Sequence, residues 1–466
     1  MVFSSITFLF YFLPLTLAIY FIVPKKLKNS VLLMSSLLFY AWGEPKFIVF
    51  MIISVIQGYI LGLLIEKYNG RKQSKLFLIF SVIISLGLLG YCKYADFFIE
   101  NFSSLTGISL ELIGIALPVG ISFYTFQILS YTVDVYRGEA KAQRNIINLA
   151  AYIAMFPQLI AGPIVRYSDI ARQLENREHT VEKASYGIRR FVIGLSKKVL
   201  LANNLAQLCD VFKASEDKSV LFFWVYAISA SLYIYFDFSG YSDMAVGLGK
   251  ILGFDFVENF NYPYISKSVT EFWRRWHISL GSWFRDYLYI PLGGNRCSKG
   301  RWLFNILVVW MATGLWHGAA WNFVIWGLYF ALFLAVEKLL LGKYLEKAKV
   351  FNHIYLIILV VISFVIFDSS DMGQAYKTIG AMFGTGDYPL VSAEGMYYLR
   401  SYGLIIFAGI IGSAPFIRNI LSKAENSDKT RTLINIAEPI VLFTLLLLST
   451  AFLVDGSFNP FLYFRF

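Results

Sequence analysis

The sequence predicts an all-α polytopic membrane protein, about 11 to 13 transmembrane or re-entrant helices packed around a cavity, and three observations carry that prediction. Of 466 residues, 57% are hydrophobic and only 15% charged, against about 25% charged in soluble domains. Apolar runs recur along the whole chain with no polar stretch long enough to fold alone. Residues 1–466 therefore read as one integral membrane domain, although length by itself would suggest about three. The excess of 41 Lys and Arg over 30 Asp and Glu, +11, is spread over short loops between apolar runs. That is the pattern of membrane topology and not of a nucleic-acid-binding face.

Taken in order, the run 8–23 has no basic residues before it and no small-residue cleavage site, and Lys25, Lys26 and Lys28 follow it. It is expected to be a retained anchor with its N-terminal side outward and the lysines in the cytoplasm. Runs 31–42 and 47–65, joined by Gly43, Glu44 and Pro45, read as a hairpin, and the basic loop 67–75 returns to the cytoplasmic side. Further runs fall at 76–89, 110–131, 147–160, 191–205, 220–236 and 245–254, then at 303–316, 323–336, 355–367, 402–411 and 434–454. Several are shorter than the roughly 20 residues a crossing helix needs, so some must be re-entrant, buried or tilted.

Proline and glycine interrupt the runs at Pro118 and Gly120, at Gly162 and Pro163, and at Pro291, Gly293 and Gly294. Backbone groups freed at membrane depth are tolerated only where protein or a water-filled cavity shields them. A non-uniform bundle around a cavity follows, unless these residues merely kink lipid-facing helices. No internal repeat is found, which counts against an inverted-repeat transporter. Cys92, Cys209 and Cys297 are far apart, with neither a zinc ribbon nor a disulfide framework among them. The chain also lacks HExxH, GxSxG, GxxxxGK[ST] and GxGxxG.

Four histidines remain to be placed. His179 sits in a charged stretch, Glu175 to Glu178, and is expected at a solvated surface; His353 follows Lys347 and Lys349 at a segment boundary and is expected at an interface. His317, between Trp316 and Gly318 inside a long apolar stretch, is a functional candidate by default. Its imidazole can take a proton from a hydroxyl, or it can be a histidine hydrogen-bonded between helices. His277 lies where Trp273, Trp276 and Trp283 alternate with Arg274, Arg275 and Arg285. That segment reads either as a vestibule whose arginines attract an anionic donor or as an interfacial amphipathic anchor, and the anchor has no need of the histidine. Asp237 and Asp243 interrupt an apolar run and need partners there, whether as structural ion pairs, the favoured role, or as cavity lining. Asn259, Asn261, Pro263 and Tyr264 could shape a cavity floor.

With these residues in view, the sequence resembles the membrane-bound O-acyltransferase family, in its bacterial alginate O-acetyltransferase-type branch. The resemblance runs through Met1 to Ser5, 117–127, 156–164, Asp237 to Asp243, Asn259 to Tyr264, 272–281 and 314–318. It implies tilted helices around a central funnel or tunnel, and an acyl group moved from a cytoplasmic thioester donor to a hydroxyl on the other side. His317 maps onto the family's invariant histidine and His277 onto its second. His317 is then expected as general base, or less favourably as an acylated nucleophile, with His277 orienting the donor or assisting proton movement. Arg274, Arg275, Trp273, Trp276, Asp237, Asn261 and Trp316 are the expected donor-binding or cavity residues.

No metal is expected, because two histidines so far apart with no clustered carboxylates make a poor ligand set. No cofactor is expected to be tightly bound. The donor expected is an acyl thioester, acetyl-CoA in the preferred reading. The acceptor expected is a cell-surface polysaccharide or an extracytoplasmic partner protein, with the chain in the lipid of a bacterial cytoplasmic (inner) membrane. D-alanyl transfer for teichoic acid modification and non-catalytic transport of a donor or sugar are the alternatives.

Overall fold

The computed structural model describes residues 2–456 and Phe461; Met1 of the opening motif lies outside them. Every regular element among the described residues is a helix. Six stretches are long and apolar enough to cross a membrane: Ile48–Lys67, Lys72–Thr106, Val220–Ile251, Trp321–Lys347, Phe351–Asp368 and Asp428–Asp455. A seventh arises if Ala393–Gly412 and Phe416–Ala424, bent by 61°, form one span. Of the other expected segments, Phe8–Ile22 and Lys28–Gly43 are shorter helices, run 303–316 lies within the 19-residue helix Lys299–His317, and run 110–131 is helical only from Ile121.

Each predicted interruption lies outside regular helix. The chain is irregular up to Gly120, whose φ of +78° turns it into Ile121–Arg137. It leaves helix after Leu159, before Gly162 and Pro163. Around Pro291 it turns through Gly293 and Gly294, and there the fully buried Asn305 donates to the Gly294 carbonyl at 3.3 Å. The runs 220–236 and 245–254, expected as separate, are instead one helix, Val220–Ile251. The polar residues between them are absorbed by ion pairs and do not end it. Lys198 Nζ lies 2.6 Å from Asp237 Oδ1 with both side chains essentially inaccessible, and Arg190 Nη2 lies 2.7 Å from Asp243 Oδ1 while also pairing with Glu258 at 2.5 Å.

By compactness the chain divides into two units. One comprises the described residues up to Phe191 together with Ser242–Glu258. Its core holds an aromatic cluster of Phe3, Phe8, Phe12, Phe39 and Phe156. His179 belongs to this unit and is not a solvated surface residue: the Tyr20 hydroxyl lies 3.0 Å from its Nε2, and its ring packs on Tyr20 and Phe21. Charge in the neighbouring sequence hid an aromatic seat formed by residues about 160 positions away.

The other unit comprises Val192–Tyr241 and the described residues from Asn259 onward. Its core packs Leu208, Phe212, Phe222 and Tyr226 with Val365 and Met382, Phe212 stacking on Tyr226 at 4.4 Å. The helices that matter below are labelled α1 (Val220–Ile251), α2 (Val269–Arg275), α3 (Ile278–Phe284), α4 (Lys299–His317), α5 (Trp321–Val336) and α6 (Phe351–Asp368). His353, at the start of α6, has Nδ1 3.1 Å from the Ser266 carbonyl oxygen.

A buried charge stripped of its counter-charge costs about 3 to 5 kcal/mol, whereas replacing both partners by apolar groups is close to neutral. Lys198→Met should therefore lower the thermal unfolding midpoint of the detergent-solubilised protein sharply, and adding Asp237→Leu should recover most of the loss. Equal midpoints for wild type and Lys198→Met would refute this account of the pair.

Candidate active site

The Trp/Arg segment does not form one amphipathic anchor helix. It breaks at His277 into α2 and α3, and Trp276 and Trp283 are buried at 4% and 7% exposure. The break is forced by backbone conformation: His277 has φ +45°, left-handed and rare for a residue with a side chain. What holds it there is Asn259. Its carbonyl oxygen accepts the Ile278 N–H at 3.0 Å. Its side-chain Oδ1 accepts from the Ser279 N–H at 3.2 Å and from the Ser279 hydroxyl at 2.8 Å, and it lies 3.1 Å from His277 Nδ1.

These bonds fix the tautomer of the histidine. An oxygen that accepts a backbone N–H must also be the acceptor for His277, so Nδ1 carries the hydrogen and Nε2 presents its lone pair. His277 Nε2 has no hydrogen-bond partner among the described residues. The ring is sandwiched by Phe238 at 4.6 Å and Trp316 at 5.8 Å. His277 lies outside the membrane-spanning helices, and burial, with His317 nearby adding to it, holds its imidazole well below the ordinary histidine range. It is a neutral base.

His317 ends α4 and is buried, its ring against Trp316, Trp326 and Phe367 at 5.0, 5.0 and 5.3 Å. The place of α4 is set by contact without side chains. A methyl group added at Gly314 would come within 2.3 Å of the Phe323 carbonyl oxygen, and one at Gly327 within 2.2 Å of the Trp310 carbonyl oxygen. Backbones of α4 and α5 thus touch directly, as small residues permit in membrane helix pairs, and the three-residue link from Gly318 to Ala320 leaves His317 at the tip of the hairpin.

A cavity of about 690 Å³ opens beside His277 and Thr313, and His317 is not among its lining residues. Its lining includes Trp273, Arg274 and His277 from the predicted set. Arg285, Trp302, Trp310, Thr313 and Lys338 join them. Arg274, Arg285 and Lys338 are exposed while His277 is buried, so the cavity is cationic where it is open and apolar and imidazole-lined where it is deep. No carboxylate lines it among the described residues. Arg285 is paired with Asp286 at 2.6 Å, and Lys338 Nζ sits 4.1 Å over the Trp302 ring. Arg274 has no ion-pair partner among the described residues.

The remaining predicted residues lie elsewhere. Arg275 pairs with Glu271 at 2.9 Å and donates to the Asn261 carbonyl at 3.1 Å, which commits both residues to holding the 259–261 segment along α2. Trp276 packs among Tyr235, Phe260, Phe272 and Phe364. Asp237 takes the structural role, in its pair with Lys198. Trp316 separates the two histidines from the side, touching both rings. Lys338, Trp302 and Trp310 were not singled out in the sequence, because nothing local distinguishes a lysine or tryptophan near the end of an apolar run from a membrane-interface anchor. No cluster of three or more metal-ligating side chains occurs among the described residues.

The family model for MBOAT, the membrane-bound O-acyltransferase family, matches residues 136–367, a stretch that contains both histidines and the cavity. Over 100% of both chains the protein is 39% identical to the "Probable alginate O-acetylase AlgI" of Azotobacter vinelandii. The chain belongs to the membrane-bound O-acyltransferase family. Two further relatives are a "Probable alginate O-acetylase AlgI" of Pseudomonas aeruginosa, 44% identical over 84% of this chain and 76% of that protein, and the "Peptidoglycan O-acetyltransferase" of Helicobacter pylori, 32% identical over 86% and 83%. Membership makes this chain a multi-pass membrane acyltransferase. Within the MBOAT match fall α2 to α6, the helices from which the cavity and the histidine pair are built.

The backbone contact at Gly314 gives a direct test of what places His317. Gly314→Ala must push α4 from α5 and should cut acyl transfer at least about tenfold, since misplacement by about 1 Å can cost two orders of magnitude. Gly300→Ala, on the same helix with open space around it, should leave the rate unchanged. Turnover measured on the two purified variants in lipid checks both, and equal rates would show that the hairpin contact does not matter to the site.

Proposed function

We propose that this protein is a membrane O-acetyltransferase that takes an acetyl group from acetyl-CoA on the cytoplasmic side and passes it across a bacterial cytoplasmic membrane. The acceptor is a hydroxyl of a cell-surface polysaccharide or of an extracytoplasmic partner protein. The observation that carries this reading is the polarity of the cavity. Arg274 and Lys338, exposed and with no carboxylate among the lining residues, stand with the Asp286-paired Arg285 at the open part, and the buried, neutral His277 stands at the deep part. A thioester donor with an anionic, phosphate-bearing handle and a small uncharged acyl end fits that gradient, the guanidinium groups taking phosphate oxygens. Relatives named as alginate O-acetylase and peptidoglycan O-acetyltransferase match this chain over most of its length, which favours acetyl over D-alanyl transfer.

In the reaction, the acceptor hydroxyl oxygen attacks the thioester carbonyl carbon. The new C–O bond forms as the C–S bond breaks, and the hydroxyl proton moves through imidazole to the departing sulfur. His317 is assigned as the base that receives the proton. His277, with Nδ1–H bound to Asn259 and Nε2 open, orients the thioester and assists the transfer. Trp273 lines the same cavity, and its indole N–H has no partner among the described residues; it is assigned to hold the bound donor by the thioester carbonyl oxygen, a contact made equally before and during the reaction.

Release of labelled acetyl groups from acetyl-CoA by the purified protein in lipid, with polysaccharide acceptors added, tests this. General-base loss costs about 10² to 10⁴ in rate, so His317→Ala should lower kcat by that range. Arg274→Ala should instead raise the donor KM about tenfold, the loss of one charge-assisted contact. Undiminished turnover in a well-folded His317→Ala protein would refute the assignment.

The pH profile offers a second check. Because burial disfavours the cation at His277, a proton-accepting site keeps its neutral imidazole as pH falls through the ordinary histidine value of about 6.5. Turnover should therefore hold steady below pH 6.5 and fall only at lower pH. A half-loss centred on 6.5 would contradict a buried, neutral His277.

A further inference from the structure

Beyond α5 the helix continues through a π-helical turn, Glu337–Leu341, which inserts one extra residue per turn and changes the direction of the side chains that follow. Its first residue, Glu337, is 4% exposed. A carboxylate so deeply buried is costly unless bonded; the Tyr355 side chain of α6 lies against it as one hydrogen-bonding neighbour, and the backbone groups it serves are all in one place. Oε1 accepts the Val269 N–H at 2.6 Å, and Oε2 accepts the Thr270 N–H at 3.2 Å and the Thr270 hydroxyl at 3.3 Å. These are the opening amides of α2, two of the donors that a helix start leaves without an intrahelical acceptor. The next two amides are served locally, Glu271 by the Ser268 hydroxyl at 3.0 Å and Phe272 by the Ser268 carbonyl at 2.9 Å.

One helical turn after Val269 and Thr270 come Trp273 and Arg274, and directly after Glu337 comes Lys338; all three line the cavity. A single buried carboxylate thus ties together two walls of the cavity that are more than 60 residues apart in sequence.

We propose that Glu337 is a positioning residue for donor binding: by holding the start of α2 it sets where Trp273 and Arg274 stand relative to Lys338. The proposal rests on the reading of this cavity as the donor site. Without the carboxylate, α2 opens at its first turn, the cationic end of the cavity loses its geometry, and the donor binds less tightly. The histidine pair, held from Asn259 and from the α4–α5 hairpin, keeps its place.

The test compares Glu337→Ala, Glu337→Gln and Arg274→Ala as full-length protein in lipid. It reads donor KM and kcat with acetyl-CoA, and amide hydrogen exchange over Val269–Arg275. Glu337→Ala should raise exchange in that segment and raise donor KM about tenfold while kcat stays within about threefold. Glu337→Gln, which replaces one of the two accepting oxygens by an NH2 group that cannot accept, should fall between it and wild type. Should Glu337→Ala fail to fold, Glu337→Asp, which withdraws the carboxylate by one methylene, carries the same expectations. Unchanged exchange, or an unchanged KM where Arg274→Ala raises it, overturns the proposal and leaves the donor-site reading standing. A donor KM that Arg274→Ala also leaves untouched removes the donor-site reading and this proposal with it. A fall in kcat with KM unchanged overturns it as well, since that is the signature of a displaced histidine pair.

Discussion

A helix that breaks in an apolar interior frees amides and carbonyls that water cannot reach, and each must find an acceptor or donor elsewhere. The site of this protein is built on that constraint. Between Asn259 and Lys299 the chain breaks repeatedly, and at each break a side chain serves the freed backbone. Asn259 serves Ser279 across the α2–α3 junction, Glu337 the start of α2, Asn305 the Gly294 turn, and Ser298 the Arg301 amide at the start of α4. What the breaks gain is placement. A continuous helix through His277 would set its imidazole by helical periodicity, whereas the left-handed turn there lets one amide oxygen choose both the direction of the ring and which nitrogen carries the hydrogen.

A second constraint, close packing, does the same for His317. Its helix can approach α5 to backbone contact only because Gly314 and Gly327 present no side chain. The gap beyond them is filled by large rings: Trp273, Trp310, Trp326 and Phe330 pack edge-to-face or tilted with centroids 4.7 to 5.6 Å apart. Such a wall lowers the effective dielectric beside it, which strengthens any dipole aimed at developing charge.

Much of this was legible in the sequence, and the part that was not has one physical cause. Apolar runs placed the long helices, and proline and glycine placed the breaks, because those signals are local. His317 stood out by its isolation in an apolar stretch, and His277 by its place in a segment of alternating tryptophan and arginine, which are local signals too. Runs 220–236 and 245–254 were split because Asp237 and Asp243 look like a helix end. Their partners, Lys198 and Arg190, are 39 and 53 residues away. His179, in its charged stretch, gave no sign of Tyr20. Asn259 could be suspected only as floor, and Glu337 not at all, since a carboxylate that bonds amides 68 positions earlier has no signature in its own neighbourhood. The sequence shows where ionisable groups interrupt apolar chain; which of them are paired is settled by long-range geometry.

Pairing is also what separates the structural charges from the chemical ones. Lys198 with Asp237, Arg190 with Asp243 and Glu258, and Arg275 with Glu271 are compensated, and each fastens one segment to another. Arg274 is not, and with Lys338 beside the Asp286-paired Arg285 it leaves positive potential in a concave site with low-dielectric walls, where field is concentrated. An exposed cation contributes little to folding, so stability gives no account of Arg274 and Lys338 converging on a cavity. Under the function proposed above, attraction of an anionic donor does, and the depth of His277 behind them suits one whose charge sits at one end and whose reactive carbon, uncharged, reaches inward past Trp273.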